Sequence, residues 1–156
     1  MTLNIQANTA DTLASLTSET ELRLAIEQFY FAYRAFTEQP DRILEQRGLG
    51  RVHHRILYFV GRNPQLSVNE LLKLLKVSKQ ALNAPLRQLL EMRLVAINTA
   101  EHDKRVRQLS LTATGVKLET QLTGTQMKQL HIAFAQAGAE AQTGWLQVMQ
   151  SLSGGV

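Results

Sequence analysis

The chain has 156 residues, 44% hydrophobic and 19% charged, which suits one domain with its own core and is too apolar for a disordered segment. Seventeen Lys and Arg stand against thirteen Asp and Glu, a formal charge of +4, with no cysteine; a disulfide framework, thiol redox chemistry and Cys-ligated metals are excluded. The N-terminus has no basic, apolar leader and no stretch approaches the roughly 20 apolar residues of a membrane span, so a soluble, cytoplasmic protein without a membrane partner is expected.

Residues 1–17 are small and polar, the composition of a loose arm. From Ser18 or Glu19 onward, Leu22, Ile26, Phe29, Tyr33 and Phe36 recur at threes and fours. This predicts an amphipathic helix ending before Pro40. Leu49, Val52, Ile56, Phe59 and Val60 predict a second helix over 49–60, broken by Arg62-Asn63-Pro64. Ser67 with Glu70 three residues later forms a capping box for a helix of about eight residues carrying Val68, Leu71, Leu72 and Leu75. Lys76-Val77 is a turn, and Ser78 is the next N-cap. The helix it opens carries Leu82, Leu86, Leu89 and Leu90 to about Met92. Pro85 inside it allows two readings. The helix starts at Ser78 and kinks after two turns, which the leucine spacing favours, or it starts at Asn83 with Pro85 in its first turn, which moves Lys79 and Gln80 into the turn. Two helices joined by so short a turn form a helix-turn-helix pattern.

After it the period changes. Leu94 to Ile97 is strand-like, and Val106, Leu109 and Leu111 contain an alternating stretch. The polar run from Asn98 to Arg105 between them makes a β-hairpin with a long tip, a wing. Thr112 or Thr114 caps a further helix with Val116, Leu118, Leu122 and Leu130 as anchors. A last helix aligns Ala141, Trp145, Val148 and Leu152, with a break near Gly138 or Gly144. The expected fold is mainly α with a small β-hairpin wing, an α+β winged helix-turn-helix.

The charge is not spread evenly. Residues 1–40 carry a net −3, residues 41–62 a net +3, residues 73–107 a net +5, and residues 108–156 balance. With Leu82, Leu86 and Leu89 turned inward, Lys79, Gln80, Asn83 and Arg87 project away from the core. Gln and Asn pair bidentately with adenine, Lys and Arg with guanine or phosphate, although a solvated helix face would carry the same residues. The wing sharpens the choice: His102, Lys104, Arg105 and Arg107 fall within six residues, suited to the negative potential of a minor groove. Asp103 is placed to hold the Arg105 guanidinium in a bidentate pair and aim it. Double-stranded DNA is the expected partner.

The run Asp103-Lys104-Arg105-Val106-Arg107-Gln108-Leu109-Ser110-Leu111-Thr112-Ala113-Thr114-Gly115 resembles the wing of the MarR family of bacterial transcriptional regulators, whose pattern is D-x-R followed by L-x-L-T-x-x-G. The resemblance spans residues 18–152. It implies one domain over 1–156, with a winged helix-turn-helix at 50–112 and dimerisation helices at 18–39 and 113–152. It also implies a homodimeric regulator, with repression as the expected sense, on a pseudo-palindromic operator. A small aromatic or carboxylate effector is implied too, with Tyr30, Tyr33, Arg34 and His53 as pocket candidates. For His53 the competing reading is a boundary histidine satisfied within the protein. Its neighbour His54 is expected to point away from the apolar face. Adjacent histidines on a helix diverge by about 100°, and His102 and His131 add no ligand spacing, so a metal-responsive regulator is a weak alternative. A winged-helix module that binds protein instead of DNA is the other. With no nucleophile elbow, Gly-rich phosphate loop or HExxH pattern, neither enzymatic activity nor a cofactor is expected.

Overall fold

The computed structural model describes residues 18–155; the expected arm at 1–17 lies outside them. The chain falls into two compact units, residues 1–38 and 39–156. The described part of the first unit is the larger share of α1, Glu19–Glu45. Ser18 caps it: its hydroxyl accepts from the Glu21 N–H at 3.2 Å while the Glu21 carboxylate accepts from the Ser18 N–H at 2.7 Å, a capping box. In the expected apolar row Leu22, Ile26, Phe29 and Tyr33 are exposed, Ile26 by 70%, and Phe36 is half-buried.

α1 does not stop before Pro40 but runs through it to Glu45. Pro40 has no N–H for the carbonyl of Phe36, a loss that normally ends a helix. Here Pro40 and Leu44 are both fully buried, and burial of their side chains offsets the missing bond. The helix ends later, in a Schellman motif. Gly48, at φ +68°, donates to Glu45 O at 3.0 Å and Leu49 to Leu44 O at 2.9 Å.

The second unit contains α2 (Arg51–Arg62), β1 (Leu66–Ser67), α3 (Val68–Leu75), α4 (Lys79–Glu91), β2 (Val95–Thr99), β3 (Arg107–Leu111), α5 (Ala113–Ala137) and α6 (Ala139–Leu152). α2 ends as expected, where the N–H and side-chain amide of Asn63 both donate to Phe59 O. The Ser67–Glu70 capping box forms in full, and α3 has the expected eight residues. The strands form one antiparallel sheet in the order β1-β3-β2, with Leu109 paired to Ile97 on one side and Leu66 on the other. β1 was not expected; two residues are too short to show an alternation. Leu44, Ile56, Leu57, Leu71, Leu82, Leu89, Leu109 and Leu122 are fully buried and form the centre of the core. Of the anchors expected on α5, Leu118 and Leu122 are buried, Leu130 is half-buried and Val116 is exposed. The Gln/Thr-rich stretch stays within α5, which runs unbroken to its end at Gly138.

Candidate nucleic-acid interface

The helix-turn-helix is built by caps. α3 ends at Lys76, held in the left-handed region at φ +52°, with its N–H donating to the last carbonyls of α3. Two residues later the Ser78 hydroxyl accepts from the Ala81 N–H at 3.2 Å and opens α4. Pro85 lies inside α4, which is one helix from Lys79 to Glu91; the alternative start at Asn83 is not adopted. Leu82, Leu86 and Leu89 face the core while Lys79, Gln80, Asn83 and Arg87 are exposed. The Arg87 Nε lies 3.9 Å from Glu91 Oε1, with both side chains at least 70% exposed. Such a pair contributes well under about 1 kcal/mol and yields readily to a stronger anion.

The wing tip is shaped by Asp103. Its Oδ1 accepts from the backbone N–H of Arg105 at 2.9 Å, and its carbonyl accepts from the Val106 N–H at 3.0 Å. This is an Asx-type turn. The expected guanidinium pair is replaced by a main-chain bond, because a short Asp side chain two residues back reaches the amide with little ordering of either partner. Asp103 therefore sets the path of the tip, and Arg105 projects from it. Buried Ala100 closes the turn by donating to Val106 O at 3.0 Å. Lys104, Arg105 and Arg107 are exposed; His102 lines polar clefts beside the sheet with Gln65 and Gln108.

At the wing's base Thr112 caps α5, accepting from the Gly115 N–H at 3.0 Å and donating to Arg93 O at 2.6 Å. A Cβ on Gly115 would lie 1.9 Å from the carbonyl oxygen of Leu94. The glycine is therefore dictated by close backbone approach, and the L-x-L-T-x-x-G pattern has a physical reason at each fixed position. Leu109 and Leu111 supply the sheet's inner face, Thr112 the cap and Gly115 the clearance.

The MarR family model matches residues 47–106. The HTH-type transcriptional regulator PetP of Rhodobacter capsulatus is 44% identical over 142 residues, covering 91% of this chain and 85% of PetP. The chain belongs to the MarR family. MarR-family proteins are DNA-binding transcriptional regulators, not enzymes. The fold agrees. A DNA complex of S. aureus MepR has a TM-score of 0.67 at 19% identity, covering 83% of this chain and 96% of MepR. A MarR regulator from Methanosarcina mazei Go1 has 0.65 at 20%, covering 84% and 96%.

Two histidines of this MarR-family chain, His53 and His54, are held within the protein, while His102 and His131 are exposed. His53 is buried; its Nδ1 accepts from the Gly50 N–H at 3.0 Å and its Nε2 lies 3.0 Å from Gln88 Oε1. His54 was expected to point away from the apolar face, yet it is half-buried against α5. Its Nε2 meets Thr123 Oγ1 at 3.3 Å, and that hydroxyl donates to Glu119 at 2.6 Å. Burial holds its pKa below the ordinary histidine value, against the opposing pull of Glu119 and Asp41. Tyr30, Tyr33 and Arg34 lie on the first unit's helix, with the Arg34 guanidinium 5.9 Å from the Tyr30 ring centre. No group of three or more His, Asp or Glu among the described residues is arranged to hold a metal ion, and no described helix is long and apolar enough to cross a membrane. Sequence reasoning passed over Lys76, exposed in the turn beside Lys79. Its signal was present in the basic segment 73–107.

Proposed function

We propose that this MarR-family regulator binds double-stranded DNA as a homodimer and acts as a repressor on a pseudo-palindromic operator. One observation carries the reading: a capped helix with Lys79, Gln80, Asn83 and Arg87 on its open face is followed directly by a hairpin whose tip carries Lys104 and Arg105. The helix reads the major groove, with Ser78 at its mouth, while Arg105 enters the flanking minor groove and Lys104, Arg107 and His102 face phosphates. Dimerisation is supported by apolar rows that one chain leaves open, Ile26 on α1 at 70% and Leu152 on α6 at 72% exposure; burying them against a second copy is the direct way to remove them from water. Half-sites then lie about one helical turn apart. Tyr30, Tyr33 and Arg34 combine aromatic surface with a guanidinium, and we assign them to an effector of the aromatic-carboxylate class. His53 drops out of that set because both ring nitrogens are engaged.

Selecting bound fragments from genomic DNA tests the whole reading. The enriched sequences should share an inverted repeat, and affinity for it should fall steeply with salt as counterions are released. Arg105→Ala should weaken binding at least tenfold while leaving the dimer intact by sedimentation. No enrichment, or unchanged affinity in the variant, would refute the assignment.

A further inference from the structure

Gln88 lies about 100° around α4 from Arg87, off the exposed face. Its side-chain amide is used twice inside the protein: Oε1 lies 3.0 Å from His53 Nε2, and Nε2 donates to Gly48 O at 3.0 Å. The protonation pattern is fixed by the neighbours. His53 Nδ1 accepts from the Gly50 N–H, so the neutral ring carries its proton on Nε2 and donates it to Gln88 Oε1. That leaves the Gln88 amide nitrogen to donate to Gly48. Three bonds thus join the Gly48–Gly50 turn, the first turn of α2 and the second half of α4. Arg51, the residue that follows this turn, pairs with Asp41 at an N···O distance of 2.7 Å.

We infer that Gln88 and His53 are positioning residues for operator recognition: the pair fixes the rotation and depth of α4 against α2, and so the aim of Gln80, Asn83 and Arg87. This rests on the DNA-binding reading above. Leucine packing along Leu82, Leu86 and Leu89 holds α4 to the core, but apolar contacts are not directional and tolerate a small roll of the helix. Two hydrogen bonds at one end, with defined angles, remove that freedom. A small roll matters little for phosphate contacts, which accept a range of geometries, and much for bidentate base pairs, which do not. The pair should therefore set specificity and not general affinity for DNA.

Two variants test this. Gln88→Leu keeps the side-chain volume and removes both amide bonds. His53→Gln keeps an N3 residue able to accept from the Gly50 N–H and removes the ring donor to Gln88. Operator affinity is compared with affinity for a random duplex of equal length, using a fragment selected by the wild-type protein. Both variants should lose about tenfold in operator affinity, with random-duplex affinity and its salt slope unchanged. A purely structural role would lower the thermal midpoint and leave the ratio of the two affinities intact; an unchanged ratio in folded protein overturns the inference. If the wild-type protein itself prefers no fragment, the DNA-binding reading fails, and this inference with it. A wild-type preference retained by both variants refutes only the inference.

Discussion

Gly115→Ala isolates one contact in the L-x-L-T-x-x-G motif at the base of the wing. The new Cβ would sit 1.9 Å from Leu94 O and 2.9 Å from Leu94 C, both backbone atoms that no rotamer change can move. Relief needs more than an ångström of separation between the start of α5 and the residue before β2. Leu94 O also accepts from the Thr112 N–H at 3.1 Å, and Arg93 O from the Thr112 hydroxyl at 2.6 Å, so the shift strains the cap as well. Overpacking costs about 1–3 kcal/mol and a weakened hydrogen bond about 1 kcal/mol, against up to about 1 kcal/mol gained by replacing glycine in a helix. The net loss should be about 1–3 kcal/mol, a fall in Tm of roughly 2–12 °C for a chain of this size. Gly124→Ala in the same helix is the control. Nothing lies within 4 Å of its Cβ position, and propensity alone should stabilise by about 0.5–1 kcal/mol. Urea unfolding at one fixed protein concentration measures both, since the proposed dimerisation would make stability concentration-dependent. The reasoning is refuted if Gly115→Ala unfolds within about 0.5 kcal/mol of wild type or resembles Gly124→Ala, as judged against mutational scatter.

Three further outcomes are expected. Because burial lowers the His54 pKa in the folded chain, its contribution to stability is fully present above the ordinary value of about 6.5. That contribution is lost as pH falls from there through the lowered value, and His54→Gln should flatten urea midpoints across this window. Asp103→Ala should loosen the wing tip and weaken DNA binding several-fold in a mobility-shift titration without changing the unfolding midpoint; full affinity would mean the tip needs no preset path. Ile26→Asp should shift the protein from dimer to monomer in sedimentation velocity and abolish operator binding in parallel, and a variant that stays dimeric would place the interface elsewhere.

Local chemistry was legible in the sequence. Ser18, Ser67, Ser78 and Thr112 each cap the helix that their side chains and neighbours announce. The leucine spacing fixed the inward face of α4, and the D-x-R and L-x-L-T-x-x-G positions announced the wing. These features depend on residues within a turn of one another, where spacing and geometry are nearly the same thing. Where partners are distant in sequence, that equivalence fails. Pro40 is a helix breaker by local rules, and only its burial beside Leu44 carries α1 onward. Asp103 had two donors in reach, and the folded tip selected the amide over the guanidinium. His53 and Gln88 are 35 positions apart, so no local pattern could pair them; the packing of α4 on α2 decided it. The sequence determined the helices, their caps and the basic face that would meet DNA. The tertiary structure decided how firmly that face is aimed, because aim depends on directional bonds between elements that only packing brings together.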